Sequence, residues 1–232
     1  GKAAGVPMTA EVHGLLDAEG HRPQLRRVVL TLGDSAIEWT GLLGEQPQPK
    51  DPSRTHLAVS GSVAARGVER WLRLARPLLP SRPFIGLVGN LSIDDLTGSF
   101  SQDAIALDLG VIDATRASLE VNASPGRAEP ARRLLAKQLG KLARGQCVLA
   151  YDKAADELHL ASQATFDGGR IEFTVRSFGV SAAWAGPEFV WPTETHATVT
   201  MLAEDAAAML STCPLLDQAV SSYHLRGLLG VQ

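Results

Sequence analysis

The segment Val28–Trp39, VVLTLGDSAIEW, has apolar side chains at alternate positions on both sides of Gly33-Asp34. Successive side chains of a β-strand point to opposite faces, so this alternation predicts two strands joined by a tight turn. Gly and Asp suit the turn because Gly adopts positive φ and Asp bonds its own backbone. The side chains that share one dry face of this predicted hairpin include Leu30, Leu32, Ile37 and Trp39.

The same alternation recurs in two later segments, Asp103–Leu109 and Arg170–Arg176. The apolar positions of these segments are Ile105, Leu107, Leu109, Ile171, Phe173 and Val175. Turn sequences such as Asp167-Gly168-Gly169 separate the alternating runs, and Asp-Gly pairs favour hairpins. This spacing predicts roughly a dozen short strands in a mostly antiparallel sheet.

Helical spacing of apolar residues replaces the alternation in three segments. They are Gly67–Leu79, Glu129–Arg144 and Ala203–Ala219. Pro130 stands in the first turn of the second segment, where proline is tolerated, and Pro80 follows the first segment. An antiparallel sheet with helices against one side or end is an α+β fold. We therefore expect an α+β protein, mostly antiparallel β, with about three short amphipathic helices.

One order of elements occurs twice along the chain. The first copy runs from Thr55–Val63 through a helix and Pro-Leu-Leu to Phe84–Gly89, and the second starts at Thr195–Leu202. The offset between the copies falls from 140 residues at the first strand to 137 at Pro-Leu-Leu. This repeat predicts a β-meander over 1–54, a strand-helix-strand unit with a β extension over 55–194, and the start of a second unit over 195–232.

Composition and residue spacing exclude several function classes. The 22 basic and 25 acidic residues give a net charge of −3, so no overall positive field attracts nucleic acid. No apolar run approaches the roughly 18 residues that a membrane-spanning helix needs. The six histidines and two cysteines lack the spacing of a metal site, and no glycine-rich loop opens a helix to bind a nucleotide. We therefore expect no cofactor, no metal site and no nucleic-acid partner.

The predicted helix Glu129–Arg144 combines a leucine seam with positive charge. Its candidate membrane-surface residues are Arg132, Arg133, Lys137, Lys141 and Arg144. A basic amphipathic helix can lie on an anionic membrane surface. The alternative interpretation is a solvated helix whose leucines cover one end of the sheet.

Gly33-Asp34-Ser35 resembles the serine block of SGNH, or GDSL, esterases, which would make Ser35 a nucleophile. Val88-Gly89-Asn90 and Asp156–His159 resemble further blocks of that family in the right order. However, a nucleophile needs a loop or helix N-terminus that exposes its oxygen, and a base within hydrogen-bond reach. The residues after Ser35 alternate like a strand, and Leu91 stands where the family has Asp. An esterase is therefore the third of our functional hypotheses.

The segment Leu25–Gly41 resembles the recurring Leu-x-Leu-Gly-x-Ser…Gly segment of the AsmA-like proteins, which are large bacterial envelope proteins. Val12–Leu16 before it, Leu57–Val63 with the following helix and Pro-Leu-Leu-Pro, and Asp167–Glu172 resemble the same family. This resemblance of pattern extends over most of the chain. The basic segment Glu129–Arg144 has no counterpart in that pattern.

This resemblance implies a long antiparallel sheet that curls into an open groove with an apolar inner face and reaches from the inner membrane into the periplasm. Such proteins are associated with moving phospholipid between membranes and with outer-membrane integrity. The implied ligand is the acyl chain of a phospholipid, the implied groove residues are the ten apolar residues named above, and no residue acts chemically. The chain begins with Gly1-Lys2 and without Met, so we expect the membrane anchor to lie outside it.

Two alternatives stay open at this point. The ten apolar residues fit a closed core as well as an open groove. An adhesion or scaffold β-domain that binds protein partners through its sheet edges would show the same alternation, with its apolar face fully covered.

Overall fold

The computed structural model describes residues 2–3, 6–16, 23–47, 55–75, 84–123, 132–183, 192, 194–205, 207–209 and 229–231. Within these ranges the chain is almost entirely β-strand. The strands are β1 (Lys2–Ala3), β2 (Val6–Leu16), β3 (Pro23–Leu32), β4 (Ser35–Pro47), β5 (Thr55–Arg66), β6 (Phe84–Gly89), β7 (Leu91–Phe100), β8 (Ala104–Asp113), β9 (Ala117–Ala123), β10 (Arg132–Lys137), β11 (Ala143–Asp152), β12 (Glu157–Phe166), β13 (Gly169–Phe178), β14 (Glu194–Ala203) and β15 (Leu229–Val231). The helices are α1 (Val68–Ala75) and α2 (Val180–Ala183).

Twelve strands form one open antiparallel sheet in the order β1-β2-β3-β4-β5-β7-β8-β11-β12-β13-β14-β15. The two edge strands are short, since β1 has two residues and β15 has three, and the strands between them are long. This confirms the prediction of a mostly antiparallel β protein with few helices. The ladders β4–β5 and β13–β14 cross the predicted boundaries after residues 54 and 194, so one sheet contains parts of all three predicted segments.

The hairpin of β3 and β4 forms as the alternation predicted. Leu32 lies opposite Ser35, which leaves Gly33 and Asp34 as a two-residue turn. Gly33 has a φ of 64°, a conformation that glycine adopts without strain, and its N–H donates to the Pro7 carbonyl at 3.0 Å. This bond holds the turn against the neighbouring strand β2.

Register shifts interrupt the ladders in the first part of the sheet. They occur in the pairs β2–β3, β3–β4 and β5–β7, and again where β8 meets β11. The ladders β11–β12, β12–β13 and β13–β14 run over ten residue pairs each without a shift. A β-bulge bends its strand and increases the local twist. We therefore divide the sheet into a bulged section, strands β2 to β8 of the main sheet, and a regular section, strands β11 to β14.

Two glycines allow a close approach of strands in the bulged section. Gly41 and Gly61 lie opposite each other in β4 and β5. Gly61 has a φ of 140°, and a Cβ atom there would lie 2.6 Å from the Gly41 Cα. The same Cβ would also overlap the carbonyl oxygen of Thr40. Any side chain at Gly61 would therefore force β4 and β5 apart.

The predicted helices are only partly observed. The first is confirmed over Val68–Ala75, and its remaining residues, 76–79, lie outside the described ranges. Of the predicted helix over Ala203–Ala219, residues 207–209 are helical, Ala203 belongs to β14, and residues 210–219 lie outside the described ranges. The four-residue helix α2 was not predicted.

The predicted basic helix over Glu129–Arg144 is wrong. Arg132–Lys137 forms strand β10, which pairs with β9, and β11 starts at Ala143. The edge of β9 supplies backbone hydrogen-bonding groups, and pairing with such an edge overrides the weak preference that helical spacing expresses. Gly140, inside the predicted helix, has a φ of 80°, which no right-handed helix accommodates.

Strands β10, β9 and β6 form a separate three-stranded sheet at one end of the main sheet. β6 leads into β7, β9 follows β8, and the Asn90 N–H donates to the Arg116 carbonyl at 2.9 Å where the two sheets meet. α1 packs against β4 and β6 at the same end. We call this the covered end because Ser35, Ala65 and Ala143 are buried there.

Candidate functional site

One face of the main sheet carries two rows of apolar residues that run from β2 to β14. Opposite residues of an antiparallel pair lie on the same face, so the ladders define rows of side chains across the sheet. The first row is Val12, Val28, Trp39, Val63, Ile93, Ile112, Gly145, Ala164, Ile171 and Met201. The second row is Gly14, Leu25, Leu43, Val59, Gly98, Leu107, Leu149, Leu160, Val175 and Ala197. Neither row contains a polar side chain, and we call this side of the sheet the apolar face.

All ten residues that the sequence predicted for the groove lie on the apolar face. Trp39 and Ile171 belong to the first row, and Leu107 and Val175 to the second. The other six occupy neighbouring positions on that face and are Leu30, Leu32, Ile37, Ile105, Leu109 and Phe173. Leu32 is buried at the covered end, and the other nine are half-buried.

Sequence reasoning missed two groups of residues on this face. Ile93 and Ile112 lie opposite each other in the first row, but the alternation breaks beside both. Asp95 has a φ of 60° and Gly110 a φ of 28°, so each displaces the residues that follow by one position. The inward residues of β11 and β12 alternate regularly and could have been found from the pattern alone.

The middle of the apolar face is half-buried rather than buried. Among the large side chains of the two rows, Met201 is the buried one, and the others are half-buried or exposed. Leu96, which lies between the rows, is also buried, with 8% of its surface exposed. A small cluster of buried residues on this face joins Met201, Ala203 and Met209, with Ile171 packed against it. Beyond the ladders, contacts between the described elements chiefly join α1 to β4 and β6. Over the described part of the chain, no element forms a second layer across the middle of the apolar face.

A cleft indents the margin of the apolar face at the end opposite the covered end, which we call the open end. Its volume is about 410 Å³, and its lining includes Leu57, Phe100 and Glu45. Leu57 is 41% exposed and Phe100 is 36% exposed. Apolar surface at the open end is therefore accessible from solvent.

The opposite face of the sheet is polar and carries ion pairs. They join Arg27 to Glu38 at 2.7 Å, Arg144 to Asp113 at 3.0 Å, Arg170 to Glu172 at 3.2 Å, and Arg176 to Glu157. A hydrogen bond from the Thr115 N–H and, to a smaller degree, the Arg144 guanidinium lower the pKa of Asp113. Solvent-exposed pairs of this kind contribute little stability, about 0–1 kcal/mol each. This polar face is therefore a solvated surface.

Among the described residues, the apolar face carries one cysteine thiol, which lies between the two rows. Cys147 in β11 is half-buried and lies opposite Ser162, which separates it from Phe173 in β13. Burial, and secondarily the negative charge of Asp108, raise the pKa of the Cys147 thiol. The thiolate is the reactive form of cysteine, so Cys147 is a weak nucleophile at neutral pH.

A hydrogen-bonded cluster around Asp156 ties α2 to the β11–β12 turn. The carboxylate accepts hydrogen bonds from the Ser181 hydroxyl at 2.7 Å, the Tyr151 hydroxyl at 2.7 Å and the Ser181 N–H at 2.9 Å. These bonds, led by that of the Ser181 hydroxyl, lower the pKa of Asp156, and the bond to Asp156 raises the pKa of Tyr151. Asp156 has a φ of 50°, so the cluster also holds a left-handed backbone position.

The five candidate membrane-surface residues do not share a helical face. Arg132, Arg133 and Lys137 lie on β10, and their side chains are outside what the structure describes. Lys141 Nζ is 3.8 Å from Asp167 Oδ2, and Arg144 pairs with Asp113 on the polar face.

Ser35 opens β4 on the apolar face and is only 2% exposed. It lies directly under Gly67, where a Cβ atom would be 2.5 Å from the Ser35 Oγ. His159 lies on the polar face, opposite Arg176, and its strand β12 is five strands away from β4. Five strand spacings are about 24 Å. The structure therefore does not bring Ser35 and His159 together as a nucleophile and its base.

Within the described ranges, no group of three or more His, Cys, Asp or Glu residues is placed to hold a metal ion. No helix in those ranges is long and apolar enough to cross a membrane. Comparisons with known protein families, with curated proteins and with solved structures found no match. The apolar face is therefore the feature on which a functional proposal rests.

Proposed function

We propose that the apolar face binds the acyl chains of phospholipid and that the protein is a non-enzymatic component of lipid transport in the bacterial cell envelope. The observation that supports this proposal is an apolar face ten strands wide whose large side chains are mostly half-buried. Large contiguous apolar areas on a protein surface mark binding sites for lipids or partners. The resemblance to AsmA-like proteins in the sequence implies the same ligand.

Acyl chains suit this face energetically. Each methylene group that leaves water contributes about 0.8 kcal/mol, so ten methylene groups contribute about 8 kcal/mol before the cost of ordering the chain. The two rows present no polar side chain that would have to give up its hydration. The half-buried side chains of β12 and β13 would lose their remaining exposure at the same time.

In the bulged section, the two ends of the sheet differ in a way that gives the ligand an orientation. At the covered end, α1 and β6 pack together, and α1 also packs on β4. At the open end, Leu57 and Phe100 border a cleft that Glu45 also lines. In this proposal the acyl chains enter from the open end, and the polar headgroup stays at its margin, where water and charged side chains solvate it.

The proposed role needs no chemical step, because the apolar face contributes packing and not catalysis. We place the protein on the periplasmic side of the envelope. Partners other than phospholipid are not needed for the binding step itself.

Lipid extraction from the purified protein tests the proposal. Phe173 points to the apolar face, and its exposed neighbour Thr174 points to the polar face, so the two positions form a matched pair. A buried carboxylate is costly, so Phe173→Glu should reduce the phospholipid recovered per protein by about tenfold or more. Thr174→Glu should leave it unchanged. Mass spectrometry of an organic extract gives the amounts, and circular dichroism checks that both variants fold.

Cys147 provides a second and independent measurement. In a Cys213→Ser background, a water-soluble thiol reagent should modify Cys147 slowly while lipid is bound and faster after delipidation. Adding phosphatidylglycerol or phosphatidylethanolamine vesicles back should slow the reaction again. The proposal is contradicted if the wild-type protein carries no phospholipid and the Cys147 rate does not respond to vesicles.

That negative result would favour the scaffold hypothesis. Its support in the structure is strand β2, which among the described residues pairs with β1 only at Val6 and Pro7, and where Val12 is 57% exposed and Leu15 is 60% exposed. Two exposed apolar residues on a strand this near the edge of the sheet fit a contact with another protein.

A further inference from the structure

A carboxylate stands on the apolar face at the open end of the bulged section. Leu57 is two residues from Val59 of the second row, so both side chains point to the apolar face. Glu45 lies opposite Leu57 in the β4–β5 ladder, and Leu57 lies opposite Phe100 in the β5–β7 ladder. Opposite residues of an antiparallel pair share a face, so Glu45 begins a row that continues with apolar side chains.

The Glu45 carboxylate is exposed, and no cation of the described residues lies within ion-pair distance of it. On the polar face, in contrast, Glu38, Glu157 and Glu172 each pair with an arginine. Glu45 can therefore bind a cation that a ligand brings without breaking an existing ion pair.

The cleft at the open end joins this carboxylate to accessible apolar surface. Its lining combines Glu45 with Leu57, Phe100 and Ser101 in a volume of about 410 Å³. Leu57 and Phe100, at 41% and 36% exposure, form its apolar part. A concave site with apolar walls and a few polar groups is typical of sites that bind small molecules, and it suits an amphiphile.

A positive charge lies across β5 from Glu45. Lys153 Nζ donates to the carbonyl oxygen of Ser101 at 3.1 Å, and the Lys153 backbone N–H donates to the Asp103 carbonyl at 2.9 Å. These bonds hold the turn after β11 against the segment after β7, which lines the cleft. An ammonium group has three N–H donors, and the bond to Ser101 uses one of them. The cleft therefore has a negative group on one side and a positive group next to the other.

In the regular section, the open end is occupied differently. Tyr151 continues the row of Phe100, because Ile105 lies opposite both residues. The Tyr151 hydroxyl donates to the Asp156 carboxylate, as does the Ser181 hydroxyl of α2. α2 is thus tied to the open end of the regular section, and the cleft with its two charges lies in the bulged section.

We propose that this cleft binds the zwitterionic headgroup of an ethanolamine phospholipid, with the ammonium at Glu45 and the phosphate toward Lys153. The inference rests on the proposed function, because acyl chains on the apolar face would bring the headgroup to the cleft. An ammonium with N–H donors forms charge-assisted hydrogen bonds to a carboxylate. Phosphatidylglycerol has no ammonium, so its phosphate would lie near Glu45 with no cation between them.

Competition between two phospholipids tests this headgroup site. Delipidated protein is incubated with vesicles that contain equal amounts of phosphatidylethanolamine and phosphatidylglycerol with the same acyl chains. Mass spectrometry then gives the amount of each lipid that the protein binds. The wild type should bind about fivefold more phosphatidylethanolamine, which is the size of one favourable solvent-exposed ion pair. Glu45→Gln should remove this preference.

Glu11→Gln is the matched control. Glu11 is an exposed carboxylate next to Val12 in β2, and it points to the polar face. The substitution changes the net charge of the protein by the same amount, so the preference for phosphatidylethanolamine should persist. Lys153→Gln should lower the binding of both lipids and leave their ratio unchanged, because both contain the phosphate. Circular dichroism checks that each variant folds.

The outcomes separate the headgroup site from acyl-chain binding. A preference that is lost in Glu45→Gln and kept in Glu11→Gln supports the site. Equal binding of the two lipids by the wild type, or the same change in both variants, would overturn the site and leave acyl-chain binding intact. Absence of phospholipid from every sample would overturn both proposals. Displacement of bound lipid by an equal concentration of glycerophosphoethanolamine would show that the cleft binds a soluble ligand, and the assignment to a lipid would be wrong.

Discussion

The bulged section and the regular section build one apolar face in different ways. In the regular section, β11 to β14, every ladder runs for ten pairs and every second residue faces the same side. In the bulged section, β2 to β8, three ladders change register, and so does the ladder that joins it to β11. Glycine occupies positions on the apolar face there, at Gly41, Gly61 and Gly98.

This difference bears on the shape of the sheet. Bulges bend strands, and facing glycines let strands approach closely, so we expect the strands to bend more in the bulged section than in the regular section. Leu96, one of the few buried large side chains of this face, lies opposite Gly61. We infer that the bulged section tolerates substitution less well than the regular section, and two pairs of substitutions test this.

The largest effect is expected for Gly61→Val. The valine Cβ would meet the backbone of β4, and valine does not adopt a φ of 140° without strain. We expect the free energy of unfolding to fall by about 4 kcal/mol, or folding to fail. Urea denaturation followed by tryptophan fluorescence measures this change.

Ser162→Val is the matched control in the regular section. Ser162 lies on the same face, opposite Cys147 and Phe173, in an unshifted ladder. A β-branched residue suits a strand, so the change in unfolding free energy should stay within about 1 kcal/mol. Equal losses for Gly61→Val and Ser162→Val would remove the distinction between the two sections.

A smaller effect is expected when a leucine is shortened in each section. Leu96→Ala in the bulged section removes a buried side chain and should cost about 3 kcal/mol. Leu160→Ala in the regular section removes a half-buried one and should cost about 1.5 kcal/mol. The ratio of the two losses, from the same denaturation experiment, measures how much more tightly the bulged section is packed.

The smallest effect is expected in the regular section, at the cluster around Asp156. Its hydrogen bonds lower the pKa of the Asp156 carboxyl group in the folded state. The stability that they contribute is therefore present above the pKa of Asp in the unfolded chain, about 3.9. It is lost as the pH falls through the lower folded pKa. Asp156→Asn should therefore reduce the urea midpoint at pH 7, and the gap to the wild type should close below about pH 4.

Ser181→Ala removes one donor to the same carboxylate and should shift the midpoint in the same direction. Asn accepts positive φ, so Asp156→Asn preserves the backbone of the turn. A gap between wild type and Asp156→Asn that does not change with pH would show that the carboxylate charge contributes nothing.

Several features of the fold could be predicted from alternation alone. Val28–Trp39 predicted the β3–β4 hairpin and its two-residue turn, and all ten predicted groove residues lie on one face. These predictions succeeded because the side-chain period of a strand is two, whatever its neighbours are. The basic helix failed because its apolar spacing fits a helix, while the edge of β9 stabilises a strand.

The amino-acid sequence by itself determined that this protein is an antiparallel sheet with one apolar face, since alternation encodes which side chains share a face. Tertiary structure alone decided the order of the strands, the bulges that bring Ile93 and Ile112 into line with Trp39, and the covered end above Ser35. The physical reason is that register and strand order arise from hydrogen bonds between distant segments. No local pattern contains those bonds, because each depends on where another strand lies.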